Sequence, residues 1–167
     1  AAYFSIFARH GAQSISLFYL TGASGLIHEQ DARAACSPAF HLLALLNECD
    51  HMRAGRVDGN KHLYACALKH SGHTRLLLVN TSPEACQVNA AEWGRPTGCL
   101  IMDTQSVRNM LQTGAASTWR AGPIPDEQLL MGGYTMVLLT LIQQEYLQQK
   151  KAGSDVKQTS ALFQDFC

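Results

Sequence analysis

Residues 14–26 read SISLFYLTGASGL, and this stretch decides the fold that the sequence predicts. Residues 14–20 form a nearly continuous apolar run of strand length, which is typical of a strand buried on both faces. A Gly-rich turn follows at residues 21–26. Residues 1–12 (AAYFSIFARHGA) carry apolar side chains at helical spacing. Gly11 lies near the end of this segment, and glycine favours helix C-termini. The pattern predicts a helix, a strand and a loop, as in an α/β repeat.

A second helix is predicted to begin at Ser37 and to continue to about Asp50. Ser37 places a capping hydroxyl directly before Pro38, and proline favours the first helical position. The apolar residues that follow form a face broad enough to cover a sheet. Because the chain opens within this rhythm, without an initiator Met or a signal peptide, we expect residues 1–50 to be the last βα unit of a larger α/β protein.

Beyond His51 the apolar period changes from helical to alternating, which predicts strands. Turns rich in Gly, Ser and Pro separate them, and a spacing of about ten residues favours an antiparallel sandwich. We therefore expect residues 51–142 to form a β-sandwich domain. The predicted strands are residues 61–70 (KHLYACALKH), 74–80 (TRLLLVN), 85–91 (ACQVNAA) and 98–104 (GCLIMDT).

The final apolar segment allows two interpretations. Residues 133–142 (GYTMVLLTLI) read as the last strand, but the same segment continued to Lys150 also fits helical spacing. The sequence leaves both open. Residues 143–167 are expected to form a tail that is partly disordered or helical.

Composition excludes several classes of partner. Thirteen basic and thirteen acidic residues cancel, and no basic run exists, which argues against nucleic acid. No apolar stretch reaches the ~20 residues of a transmembrane helix, so no membrane partner is expected. The six cysteines are scattered without any CxxC pair. We expect reduced, mostly buried thiols, which favours a cytoplasmic location.

The order of these segments resembles the C-terminal end of TIM-barrel carbohydrate-active enzymes of the retaining glycoside-hydrolase type. In them, the eighth barrel strand and helix precede a small β-sandwich. The segments FYLTGASGL and VNTSPEACQV also resemble those of D-apionate lactonase-like proteins. The resemblance implies an α+β fold: the incomplete end of a (β/α)8 barrel (helix–strand–helix), then an antiparallel β-sandwich. The matching segments are residues 18–26 (FYLTGASGL), 36–48 (CSPAFHLLALLNE), 76–88 (LLLVNTSPEACQV) and 134–141 (YTMVLLTL).

The resemblance implies that the chain is the C-terminal fragment of a hydrolase acting on a glycosidic bond or a sugar-acid lactone. The catalytic carboxylates of such enzymes would precede Ala1, and retaining chemistry needs two carboxyl groups ~5–5.5 Å apart. We therefore expect an accessory chain that is inactive alone and uses no cofactor. The expected partners are the remainder of the barrel and, through the parent enzyme, a carbohydrate or sugar-acid substrate.

In a barrel, residues just after the C-terminal end of a strand face the active site. Tyr19 is a candidate sugar-stacking platform, and Thr21, the leading candidate, would contact a substrate hydroxyl. The alternative is that Tyr19 lies in the core and Thr21 only begins a tight turn. The predicted substrate-facing residues are Tyr19, Thr21, Ser24, His28 and Glu29.

Trp93 and Trp119 flank loops of the predicted sandwich, where exposed aromatic rings can stack on sugars. The alternative is that each ring packs over the edge of a sheet. If they stack, the chain is a non-catalytic module that binds carbohydrate or a protein partner. A purely structural accessory domain is a third possibility.

The residue types at Cys66, His70 and His73 are those of zinc ligands. The two histidines, however, flank a Ser-Gly turn where polar residues are ordinary, and no fourth ligand is evident. The sequence therefore predicts no metal site.

Overall fold

The chain has an α+β fold made mostly of antiparallel strands, with two helices in the part that the structure describes. The predicted helix at residues 1–12, most of the strand at 14–20 and the tail at 143–167 lie outside that part. The computed structural model describes residues 10, 19–21, 25–30, 33–55, 57, 59–89, 93–113 and 118–142.

A small three-stranded sheet comes first. It contains β1 (Tyr19–Thr21), β2 (Gly25–Gln30) and β3 (Arg33–Cys36). β1 and β2 are parallel, whereas β2 and β3 form an antiparallel pair. β1 continues the predicted strand, but the helix–strand–helix order predicted for residues 1–50 is wrong in one respect: β2 and β3 stand between the strand and the helix.

The second predicted helix is confirmed as α1 (Pro38–Asn47). The Ser37 hydroxyl caps it by accepting a hydrogen bond from the Phe40 N–H at 3.3 Å. The Ser37 N–H donates to the carbonyl of Leu26 at 2.7 Å, which ties the start of α1 to β2. The sequence predicted this start because the Ser-Pro pair combines the two residues that best begin a helix.

The remaining strands form a large sheet and a small one, all with antiparallel neighbours. The large sheet has the order β4-β5-β6-β11-β8-β9, and the small sheet pairs β10 with β7. The strands are β4 (His51–Gly55), β5 (Leu63–His70), β6 (His73–Asn80), β7 (Cys86–Asn89), β8 (Pro96–Met102), β9 (Arg120–Ala121), β10 (Gln128–Met131) and β11 (Met136–Leu141).

The central strands β6 and β11 are buried on both faces, which explains their continuous apolar sequences. One face packs against the small sheet, so the two sheets form a compact antiparallel sandwich. The other face packs against α1. The first core contains Leu63, Ala65, Leu76, Leu78, Cys99, Val137, Leu139 and Leu141 of the large sheet, with Val88, Leu129 and Met131 of the small one. The second contains Leu42 and Leu45 of α1 with Cys66, Leu68, Leu77, Val79 and Leu138.

Several sequence predictions are corrected in this region. β11 is a strand between β6 and β8, so a helix from residue 133 to Lys150 is wrong for Met136–Leu141. The predicted strand at residues 98–104 ends at Met102. Thr104–Thr113 forms a second helix, α2, which the sequence analysis did not predict because its residues are mostly polar.

The five described cysteines form no disulfide with one another, and Cys66 and Cys99 are buried. These two lie on opposite faces of the large sheet, in separate cores. Among the described residues, neither helix is long and apolar enough to cross a membrane.

Candidate functional site

The junction of β1 and β2 carries the leading predicted substrate contact. Thr21 ends β1 with an exposed side chain. A side chain at Gly25 would place its Cβ 2.5 Å from the Thr21 carbonyl carbon, so only glycine fits where β2 begins. This close approach brings the start of β2 beside β1, with which β2 pairs in the parallel direction. The role of Thr21 stays a prediction.

The other substrate-facing candidates are only partly described. Tyr19 lies in β1, opposite Gly25. His28 and Glu29, which follow the predicted turn at residues 21–26, lie within β2, where they pair with Ala35 and Ala34 of β3. Ser24 lies outside the described residues, as do the side chains of Tyr19, His28 and Glu29. Their substrate contacts also stay predictions.

The structure does not bring Trp93 and Trp119 together. Trp93 is half-buried against the core between the two sheets. Trp119 is half-buried against the core beneath α1, on the opposite face of the large sheet. The two rings therefore belong to separate surfaces, and any sugar stacking by either one remains a prediction.

A polar cluster follows β8 beside Trp119. The Asp103 carboxylate accepts a hydrogen bond from the Ser106 N–H at 2.8 Å, which caps α2, and also pairs with the Arg120 guanidinium. Burial alone would raise the pKa of Asp103, but the bonds from Arg120 and Ser106 outweigh it and lower that pKa. This cluster ties α2 to β9 and has the chemistry of a structural ion pair.

A second polar arrangement, which we call the Asn80 corner, comprises residues 80–84 and 132–135. The Asn80 side chain is fully buried, and its amide donates to the carbonyls of Glu84 and Gly132, both at 2.8 Å. Its oxygen accepts from the Ser82 N–H at 3.0 Å. One side chain thus connects two loops that are distant in sequence.

The Asn80 corner holds Tyr134 in an unusual conformation. Tyr134 has a φ of 50° and is 63% exposed. Left-handed backbone costs a bulky residue about 1–2 kcal/mol. The Tyr134 N–H donates to the Ser82 carbonyl at 2.9 Å, and a Cβ at Gly133 would collide with the Pro83 carbonyl. The close contact between the loops therefore fixes an exposed aromatic ring at the cost of backbone strain.

The described residues contain no group of three His, Cys, Asp or Glu side chains that could hold a metal ion. Cys66 is buried beneath α1, whereas His70 and His73 face each other across the hairpin turn. Burial also raises the thiol pKa values of Cys86 and Cys99, which disfavours the nucleophilic thiolate.

No protein-family model matches this chain, and no curated protein shows significant similarity to it. Solved structures show a weak likeness. An isomaltulose synthase from Klebsiella sp. LX3 has a TM-score of 0.36 at 10% identity over 52% of this chain and 13% of its own. A GH30 endoxylanase from Clostridium papyrosolvens C71 has a TM-score of 0.38 at 10% identity, with 55% of this chain and 24% of its own covered.

A trehalulose synthase from Pseudomonas mesoacidophila MX-45 has a TM-score of 0.28 at 22% identity, over 54% of this chain and 14% of its own. This chain thus spans 13–24% of the length of these three structures. At these identities and TM-scores the likeness assigns no activity.

Neither the exposed Tyr134 nor the role of Asn80 was predicted from the sequence. The usable signals were the two glycines at positions 132 and 133 and an Asn at the end of a buried apolar run. Glycine pairs mark tight approaches of the backbone, and a buried Asn requires hydrogen-bond partners. What the sequence does not show is that both signals meet at one place in the fold.

Proposed function

We propose that this chain is the C-terminal part of a carbohydrate-active hydrolase, in which the antiparallel domain is an accessory part without a complete active site. The observation that carries this proposal is the packing of α1 against the large sheet. Leu42 and Leu45 of α1 share a core with Leu68 and Leu77 of the sheet. An accessory sandwich that supports the last unit of a barrel needs such a rigid connection.

Polar contacts also connect the end of α1 to the large sheet. The Asp50 N–H donates to the Lys69 carbonyl at 2.8 Å, and the Asp50 carboxylate accepts from the Ser71 N–H at 3.1 Å. Glu48 lies 3.8 Å from Arg75 of β6. These bonds fix the chain that leaves α1 onto the β5–β6 hairpin.

The finer assignments belong to this proposal. The parent enzyme cleaves a glycosidic bond or, by the narrower D-apionate lactonase-like resemblance, a sugar-acid lactone. Thr21 is the proposed substrate contact, since it is an exposed hydroxyl at the end of β1. The catalytic carboxylates are proposed to lie upstream of Ala1.

The test is to recover the coding sequence upstream of Ala1 and to express both the longer product and this chain alone. Both are assayed on nitrophenyl glycosides and on a sugar-acid lactone. We expect a barrel with two paired carboxylates upstream, and hydrolysis by the longer product only. A longer product that lacks such a barrel, or that hydrolyses none of these substrates, contradicts the proposal.

Two variants of the longer product test whether the packing of α1 against the large sheet stabilises the enzyme. Leu45→Ala removes a buried side chain from the shared core, and we expect heat inactivation at a lower temperature. Leu111→Ala, on the exposed face of α2, is the matched control and leaves the inactivation temperature unchanged. Equal behaviour of the two variants contradicts a supporting role for α1.

A further inference from the structure

The outer face of the small sheet carries an unusual set of side chains. Val88, Leu129 and Met131 point into the core, so the alternate residues of β7 and β10 point outward. In the register of the two strands, Gln128 lies opposite Asn89 and Leu130 lies opposite Gln87. All four outward residues are exposed, and Leu130 is 72% exposed.

This face is chemically selective. Side-chain amides both donate and accept hydrogen bonds, as sugar hydroxyls do. None of the four outward residues is charged. The face therefore offers hydrogen-bonding groups to a neutral polar ligand and no opposite charge to an ion. Leu130 adds an apolar contact at the end of this set that is nearer to Gly132.

The Asn80 corner adjoins one end of the same face. Gly132 directly follows β10, and Ala85 directly precedes β7, so both loops of the corner meet the small sheet at that end. Tyr134 lies there, exposed and with a positive φ that its own residue type disfavours. The Asn80 hydrogen bonds hold the loops that impose this conformation.

We infer that Tyr134 and the outer face of the small sheet form a binding site for a neutral oligosaccharide. The Tyr134 ring stacks on the apolar face of a sugar, while the Gln87 and Gln128 amides bind hydroxyl groups. Asn80 is a positioning residue, because it fixes the loop of Tyr134 without contacting the ligand. The inference is independent of hydrolase activity, and it involves neither Trp93 nor Trp119.

The size of the face favours an oligosaccharide over a protein. Four residues of strand span about 14 Å, and the two strands lie about 5 Å apart. A standard protein interface buries about 800 Å² on each partner, far more than such a face provides. The centres of protein interfaces are also more apolar than a face with three amides.

The test is isothermal titration calorimetry of the whole chain with four neutral hexasaccharides: cellohexaose, xylohexaose, mannohexaose and maltohexaose. We expect saturable binding of at least one of them. Tyr134→Ala and the double variant Gln87→Ala/Gln128→Ala weaken it by about tenfold or more. Tyr134→Trp keeps binding, because it keeps an aromatic ring. Leu111→Ala, an equally apolar exposed site on α2, leaves affinity unchanged.

A further variant separates binding from stability. Asn tolerates positive φ, so Tyr134→Asn is expected to match or exceed the urea midpoint of the parent protein while it loses sugar binding. Loss of binding in a protein of undiminished stability excludes a misfolded variant as the cause.

Three results overturn the inference. The first is that none of the four hexasaccharides binds. The second is that Tyr134→Ala binds the hexasaccharide as tightly as the unsubstituted chain does. The third is that analytical ultracentrifugation shows a dimer that Leu130→Lys dissociates, because this face then belongs to a second copy of the chain.

Discussion

At the scale of single residues, Asn80 connects two loops that are distant in sequence. Its amide group is fully buried and makes three hydrogen bonds to backbone groups of two loops. Each such hydrogen bond contributes about 0.5–1.5 kcal/mol net to the free energy of unfolding. The conformation of Tyr134 depends on these loops, so the strain at one residue is balanced by the bonds of another.

Asn80→Ala tests this dependence. The substitution leaves the carbonyls of Glu84 and Gly132 and the N–H of Ser82 without the amide that bonds them. We expect the free energy of unfolding to fall by about 2–4 kcal/mol, as measured by urea denaturation.

The matched control for this prediction is Asn109→Ala. Asn109 is an exposed residue of α2 whose side-chain oxygen accepts a hydrogen bond from the Gln105 amide. Asn109→Ala is expected to change the free energy of unfolding by no more than about 0.5 kcal/mol. Similar effects of the two substitutions would show that Asn80 does not hold the loops together.

At the scale of elements, the two helices differ in how far their sequences determine them. α1 was predictable because a Ser-Pro start precedes a strongly apolar face. α2 was not, because it is mostly polar and buries only Ser106 and Met110. Its start depends on Asp103, which caps it locally, and on Arg120, which comes from another strand. Such a long-range partner cannot be read from the spacing of residues in one segment.

The ion pair between α2 and β9 gives a pH-dependent prediction. The pKa of Asp103 is lower in the folded state than in the unfolded state. Asp103 therefore adds to the free energy of unfolding above its unfolded-state pKa, and this stabilisation is lost as the pH falls through its folded-state pKa. At neutral pH, Arg120→Gln is expected to lower the free energy of unfolding by about 1 kcal/mol. The difference between variant and parent should shrink as the pH falls from about 6 to about 3.

Urea denaturation over this pH range measures the effect, with Arg108→Gln as the control. Arg108 is an exposed arginine of α2 itself. We expect its substitution to produce no pH-dependent difference. If the free energy of unfolding of Arg120→Gln stays below that of the unsubstituted protein by the same amount down to acidic pH, the pair with Asp103 contributes no stability.

At the scale of the whole molecule, a sheet covered on both faces organises the fold. The apolar runs of β6 and β11 predicted buried strands, and the antiparallel sandwich followed from the spacing of turns. The parallel pairing of β1 with β2 did not follow, because it depends on the close approach of Gly25 to Thr21. The sequence also did not show which face of the large sheet α1 covers. The central strands are apolar on both faces, so either face could accept the helix.

The shared core of α1 and the large sheet is the central claim, because the proposed accessory role depends on it. A helix of ten residues is only marginally stable alone, so its protection must come from packing. Native-state hydrogen exchange measures this directly. We expect the amides of Leu45 and Leu46 to exchange with free energies within about 1 kcal/mol of those of Leu77 and Leu138. Rapid exchange throughout α1 while β6 and β11 stay protected would contradict the claim.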